Sequence, residues 1–354
     1  MGDGWQPVDL VRLAGRGAWH ASLVVDWIAR EAEDQALPLA PAEWRAQLGD
    51  LGARIWWGQE PHLLRWAERE GVSWRQAVEA AVDALARLLV LPSQPHLLPP
   101  PSRWAETAGR RPQRPAGLDA KVFAKVRALL AKAESTAFTA EAEALSAKAQ
   151  ELITRHAIDR ALLAADAPGA DEVPGGRRIP VEDPYASGKS LLLQGIARAN
   201  RSSAVWSKGL GFCTVFGFPG DLDAVELLHA SLLVQATSAM AAAGSHVDAG
   251  GTTRTRSFRS SFLTAFAVRI GDRLREATGA HVAAAAEGDG RLLPVLAARD
   301  DAVQVAVVAA YPRLVPHRSQ ARNRAGWVAG QVAADAAELA VGPRLGARQP
   351  RLTA

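Results

Sequence analysis

Cysteine is almost missing from this chain. Cys213 stands alone among 354 residues, so no disulfide can close within the chain and no cysteine-built zinc finger is available. A lone thiol suits a reducing compartment, and a cytoplasmic protein is expected. No run of 18 apolar residues occurs, which excludes an obvious membrane-spanning helix, so no membrane partner is expected. The opening MGDGWQPVDL has neither the basic region nor the apolar stretch of a secretory signal. Lysine is scarce beside arginine. The His-Glu-x-x-His pattern of zinc hydrolases is absent. A nucleotide loop also fails: Gly188-Lys189-Ser190 has the tail of a P-loop, but Asp183 stands where the first glycine is required. Without that glycine and a buried strand before it, backbone amides cannot cradle a phosphate. Ser187 there reads as an ordinary helix N-cap. No cofactor is implied.

What charge there is lies unevenly. The formal net charge is +4, yet residues 1–90 hold 9 Lys+Arg against 13 Asp+Glu. Residues 311–354 hold 7 Arg against 2 acids. A basic end on an otherwise balanced chain points to an anionic partner such as nucleic acid.

Aromatic content is equally uneven. Residues 1–90 carry eight of the eleven tryptophans: Trp5, Trp19, Trp27, Trp44, Trp56, Trp57, Trp66 and Trp74. Two amphipathic segments stand out there. One is HASLVVDWIAREAE. The other is SWRQAVEAAVDALARLLVL, with Ser73 placed to cap it and Val78, Val82, Leu85 and Leu89 along one face. A helical unit with a Trp-rich core follows, whose surface suits a protein partner.

Residues 91–118 hold seven prolines and read as an extended linker. A hairpin of two helices is expected over 119–165, because Val122, Val126, Leu129, Leu130 and Ala133 share the spacing of Leu145, Ala149, Leu152, Ile153 and His156. Thr139 is the expected N-cap of the second helix, with Glu141 favourably placed in its first turn. Residues 166–179 read as a second linker. Over 180–342 the period changes. SSAVWS and FCTVFGF read as a β-hairpin closed by Gly209 and Gly211, followed by helices from Leu222, from about Phe258, over 300–311 and over 325–341. Residues 343–354 form a basic tail. The expected class is α+β, mostly helical, with a small antiparallel sheet packed by helices.

The stretch Lys121-Val122, Leu129 to Glu134, Glu141 to Ala144, Lys148 to Leu152 and His156 to Asp159 resembles the family known as domain of unknown function 2786. FGFPGDLDAVELLHASLL and SFRSSFLTAFAVRIGDRL resemble its frequent companion, domain of unknown function 7168. Together the resemblances cover roughly 119–340. They imply a domain arrangement and carry over no catalytic residue.

Two groups of residues are candidates for chemistry. Asp221, Asp223, Glu226 and His229 form the best acid-plus-histidine cluster, and Glu226 and His229 have the Glu-x-x-His spacing of carboxylate metal sites. Such sites need a second helix of the same kind; none is found, and no metal ligand set is assigned. His246 and Asp248 would join only by tertiary contact. His156, read as the end of its helix, is expected to be held protonated by the helix dipole. Arg254, Arg256 and Arg259, interleaved with Phe258, lead into a helix and suit contacts to nucleic-acid phosphates or other anions. Gly326 and Gly330 have the i, i+4 spacing that permits close helix contact. Two functions remain open: a binding or adaptor protein that contacts nucleic acid through its Arg-bearing C-terminal half, or a metal-assisted hydrolase or nuclease in 180–340.

Overall fold

The computed structural model describes residues 2–14, 18–35, 37–108, 119–135, 139–166, 172–244, 254–315 and 323–336. The chain divides into two compact units, Met1–Gln113 and Arg114–Ala354. The architecture is mostly helical α+β, with a three-stranded antiparallel sheet.

The first unit contains α1 (Pro7–Ala14), α2 (Ala18–Asp34), α3 (Ala42–Asp50), α4 (His62–Glu70), α5 (Trp74–Leu89) and the short α6 (Trp104–Ala108). Ser73 caps α5 as the sequence predicts: its hydroxyl accepts from the Gln76 amide while the Gln76 side chain accepts from the Ser73 amide. The face that α5 buries is not the predicted one. Ala77, Ala80 and Ala84 pack inward, whereas Val82, Leu85 and Leu89 are 60%, 48% and 84% exposed. The reason is steric. Leu23 and the fully buried Trp66 already fill the space between α2, α4 and α5, and methyl side chains let the helices close over them.

The proline-rich stretch also differs from a plain linker. Residues 101–108 form a 3-10 turn and α6. The buried Trp104 meets Trp44 edge-on at 5.6 Å and donates to the Pro99 carbonyl. The Gln94 amide donates to the Asp3 carbonyl. Prolines exclude regular ladders, but one large aromatic residue is enough to anchor the segment.

The second unit begins with the hairpin α7 (Ala120–Ser135) and α8 (Thr139–Asp166). Its repeated face is buried as the spacing predicts: Val126, Leu130, Ala149 and Ile153 enter the main core. The side chains of Thr139 and Glu141 lie outside the described residues. Next come β1 (Gly175–Pro180), α9 (Ala186–Ala199), β2 (Ser203–Ser207), β3 (Phe212–Gly217), α10 (Pro219–Ala242), α11 (Thr255–Gly288), α12 (Leu292–Ala310) and α13 (Arg324–Ala336). The predicted β-hairpin is β2–β3. The sheet order β1-β3-β2 adds β1 from the stretch expected as linker, so β3 is central and every residue of it is buried. β1 reads GGRRIP, two glycines and two arginines before a single isoleucine, too polar to announce a strand. Pairing with β3 satisfies its backbone.

Glycines set the close helix crossings. Gly188, from the P-loop-like tail, presses on Leu263, and Gly195 meets Gly271 backbone to backbone. α9 therefore lies flat on α11, which is what Gly188 does instead of shaping a phosphate loop. Tyr185, not Ser187, occupies the N-cap of α9. α10 is, by length and composition alone, apolar enough to cross a membrane, but Leu222, Val225, Leu228 and Leu232 are buried in the core.

Candidate functional site

The four predicted acid and histidine residues all sit on α10, and the fold sends them to different partners. Asp221 pairs with Arg201 at 2.9 Å, both largely buried. Asp223 and Glu226 share Arg177 from β1, at 2.9 and 2.6 Å. His229 faces none of them. It is buried beside the Lys189 ammonium, and burial, helped by that charge, pushes its imidazole down to about 4. Its Nε2 has no hydrogen-bond partner among the described residues. Asp221, in the first turn of α10, is thus an ion-pair partner, and the N-cap of that helix is Phe218. Among the described residues no group of three acidic, histidine or cysteine side chains could hold a metal ion. His246 and Asp248 lie outside the described residues.

His156 also has a different role from the one expected. α8 continues to Asp166, so His156 is not at a helix end and no dipole supports its charge. Burial, with Arg160 nearby, lowers its pKa. Its Nε2 accepts from the Asp119 amide at 3.4 Å, and the Asp119 carboxylate in turn accepts from the amides of Lys121 and Val122 to cap α7. Those two amides hold the Asp119 carboxyl below the usual range.

The arginine cluster has a geometry that the sequence does not reveal. Gly326 lies against Phe258, Gly330 against Phe262, and Arg273 caps the carbonyls of Ala334 and Asp335. Contacts that advance together along both helices mean that α11 and α13 run parallel. A methyl group on Gly326 or Gly330 would lie 2.3 or 2.2 Å from the carbonyl oxygen opposite, so only glycine allows this approach. Asn323 joins the two N-termini: its side chain caps the Gly326 amide and reaches Ser257, and its own amide donates to Ser261. Arg254, Arg256 and Arg259 of α11 and Arg324 of α13 consequently stand at one end. Neither first turn contains an acidic residue. Arg254 and Arg256 are exposed, and the Nε of Arg259 is buried without a hydrogen-bond partner. Phe258, Phe262 and Phe266 are core, each 1% exposed.

Sequence reasoning missed a second constellation entirely. In the first unit the Asp26 carboxylate, 5% exposed, accepts from Trp56 Nε1 and His62 Nε2 at 2.9 Å each and pairs with Arg69 at 3.4 Å. The Arg69 guanidinium lies 4.1 Å over the Trp56 ring. A cavity of about 470 Å³ opens beside Asp26, also lined by Val25, Leu51, Arg54, Trp56 and Arg69. The partners come from α2, α4 and the loop between α3 and α4, and no local spacing connects them.

Residues 121–160 match the family model described as protein of unknown function (DUF2786). The match names the hairpin, not the whole chain. No curated protein and no solved structure matches. Among the described residues of the DUF2786 segment, Gln150 makes side-chain bonds to elements far along the chain. It is buried and donates to Thr154, Asn200 and Thr278, tying α8 to the end of α9 and to α11. The segment's visible work is therefore packing, and the charged end of α11 and α13 lies outside it.

Proposed function

We propose that this is a cytoplasmic, non-enzymatic binding protein that grips a nucleic-acid backbone with the paired N-termini of α11 and α13. One observation carries the reading: two parallel helices place their positive dipole ends and four arginines together, with no acidic residue in either first turn. Cations at a helix N-terminus are unfavourable by a few tenths to about 1 kcal/mol each, and parallel dipoles add to the repulsion. A phosphate relieves both and accepts hydrogen bonds from guanidinium groups and helix amides. Arg256, Arg259 and Arg324 have no ion pair with a carboxylate among the described residues, which leaves those three charges open to an anion.

The resemblance of residues 180–340 to domain of unknown function 7168 belongs to this reading. It pairs the hairpin with a defined companion, so a fragment spanning 119–342 should fold by itself with one cooperative transition. The Trp-rich first unit would then present a partner protein to the nucleic-acid-bound half. Among the described residues the carboxylates of the hydrolase alternative are taken up by Arg177 and Arg201 and do not meet His229.

Fluorescence anisotropy with labelled single- and double-stranded DNA and RNA tests the proposal. Affinity should fall steeply with salt. Replacing Arg256, Arg259 and Arg324 by alanine should flatten the salt slope by about one for each phosphate left without its arginine. Equal binding by the triple variant, or no binding by the native protein at low salt, would overturn it.

A further inference from the structure

The cavity beside Asp26 has the chemistry of a ligand site that nucleic-acid binding does not use. The side chain of Asp26 is more than nine-tenths buried. A carboxylate offers about four acceptor positions, and Trp56, His62 and Arg69 occupy three. That leaves about one on a group that lines the cavity. A ligand donor, either an ammonium or an amide N–H, is what completes it.

The rim has the opposite chemistry. Arg69 is engaged by Asp26, Glu70 and the Trp56 ring. Arg54 is exposed and has no carboxylate partner among the described residues. It supplies a planar two-donor fork for a carboxylate. Val25 and Leu51 give the same cavity an apolar wall. A buried acceptor, an unmatched guanidinium and an apolar wall around one small volume correspond to the three substituents of one kind of molecule.

From this arrangement we infer that the first unit binds an α-amino acid with an apolar side chain, either free or as the C-terminal residue of a peptide. The nitrogen donates to Asp26, the carboxylate meets Arg54, and the side chain lies against Val25 and Leu51. A cavity of about 470 Å³ falls in the range used for small ligands and has room for one such residue. Arg69 acts here as a positioning residue. Stacked on Trp56 and paired with Asp26, it holds both in place.

Calorimetry on the full chain tests the inference, with leucine, N-acetyl-leucine, glycyl-leucine and leucinamide as probes. Leucine, the two carboxylate-bearing derivatives, or all three should bind, and leucinamide should bind at least roughly tenfold more weakly than those that do, as expected when a charge-assisted hydrogen bond is missing. If glycyl-leucine and N-acetyl-leucine bind but leucine does not, the natural ligand is a peptide C-terminus. The reverse result identifies a free amino acid. Arg54→Ala removes an exposed side chain and should fold normally; it should weaken every carboxylate probe roughly tenfold or more while leaving nucleic-acid binding unchanged. Asp26→Asn, with its fold checked by circular dichroism, should lose affinity for leucine more than for N-acetyl-leucine. Leucinamide binding as tightly as the carboxylate-bearing probes, unchanged affinity in Arg54→Ala, or no saturable binding of any probe at millimolar concentration would overturn the inference.

Discussion

Arg69 and Arg256 are both arginines on helices, yet they stand in opposite surroundings. Arg69, in the first unit, has two carboxylates and an indole face around it. Arg256, in the second, stands in the first turn of a helix beside Arg254 and Arg259, with no acidic residue in that turn. Matched charge holds a local structure together. Unmatched charge at a helix N-terminus costs stability until an anion is bound. A net charge cannot separate the two cases. The first unit is acidic overall, but its arginines are largely neutralised in place, whereas the end of α11 and α13 concentrates a field.

The comparison can be broken most sharply at Asp26. Asp26→Ala leaves Arg69, His62 and the Trp56 N–H without their shared acceptor. Removing one partner of a buried pair should cost about 3–5 kcal/mol, read as a lower urea midpoint for the first unit. His229 offers the contrasting case in the second unit, a buried histidine whose charged neighbour is Lys189, not a carboxylate. Its folded pKa of about 4 lies below the ordinary 6.5, so the unfolded chain takes up the proton first as pH falls. The stability tied to His229 is complete above pH 6.5 and is lost on descending toward pH 4. The loss should be on the order of 3 kcal/mol, since one pKa unit is worth about 1.4 kcal/mol. His229→Gln should flatten the stability profile in that window.

A smaller effect is expected at the helix crossing. Gly330→Ala sets a methyl group against the Phe262 carbonyl and should cost about 1–3 kcal/mol. Because it also shifts the N-terminus of α13, nucleic-acid affinity should fall with it. On α5 the buried and exposed faces should respond in opposite ways. Ala84→Leu overpacks the core and should lose about 1–3 kcal/mol, whereas Leu85→Ala should change stability, read from the urea midpoint, by less than about 0.5 kcal/mol. Arg256→Ala with Arg324→Ala should lose no stability and should gain up to about 1–2 kcal/mol, because two cations leave helix N-termini, although their effect on anisotropy binding should be a large loss. A large stability loss in that pair would mean that these arginines are structural, and the contrast with Arg69 would fail.

Much of the fold was legible where helices are built from one repeated face. The α7–α8 hairpin, the β2–β3 pair and the Ser73 cap all follow from spacing, turn and capping chemistry. α5 was not legible, because its larger side chains marked the wrong face: Trp66 and Leu23, distant in sequence, had already filled the space and only alanine could close over them. β1 was hidden because its partner strand lies more than thirty residues later, at Phe212–Gly217. Arg254, Arg256 and Arg259 were visible as a cation run. Their meeting with Arg324 was not, although Gly326 and Gly330 hinted at a close crossing. Asp26, His62 and Arg69 left no trace in the sequence, since ordinary acid, histidine and arginine positions become a site only when a loop folds between α3 and α4.

The sequence by itself determined part of the local structure: that the α7–α8 hairpin and α5 are helical, where Ser73 starts a helix, and that Gly326 and Gly330 can bring two backbones together. Those outcomes depend on neighbours three or four residues away and on the steric demands of a single residue. The tertiary structure alone decided which face of α5 is buried, which carboxylates meet Arg177 and Arg201, and that α11 and α13 run parallel with their cations at one end. Each of these rests on groups far apart in the chain, and their energies exist only after the core has closed.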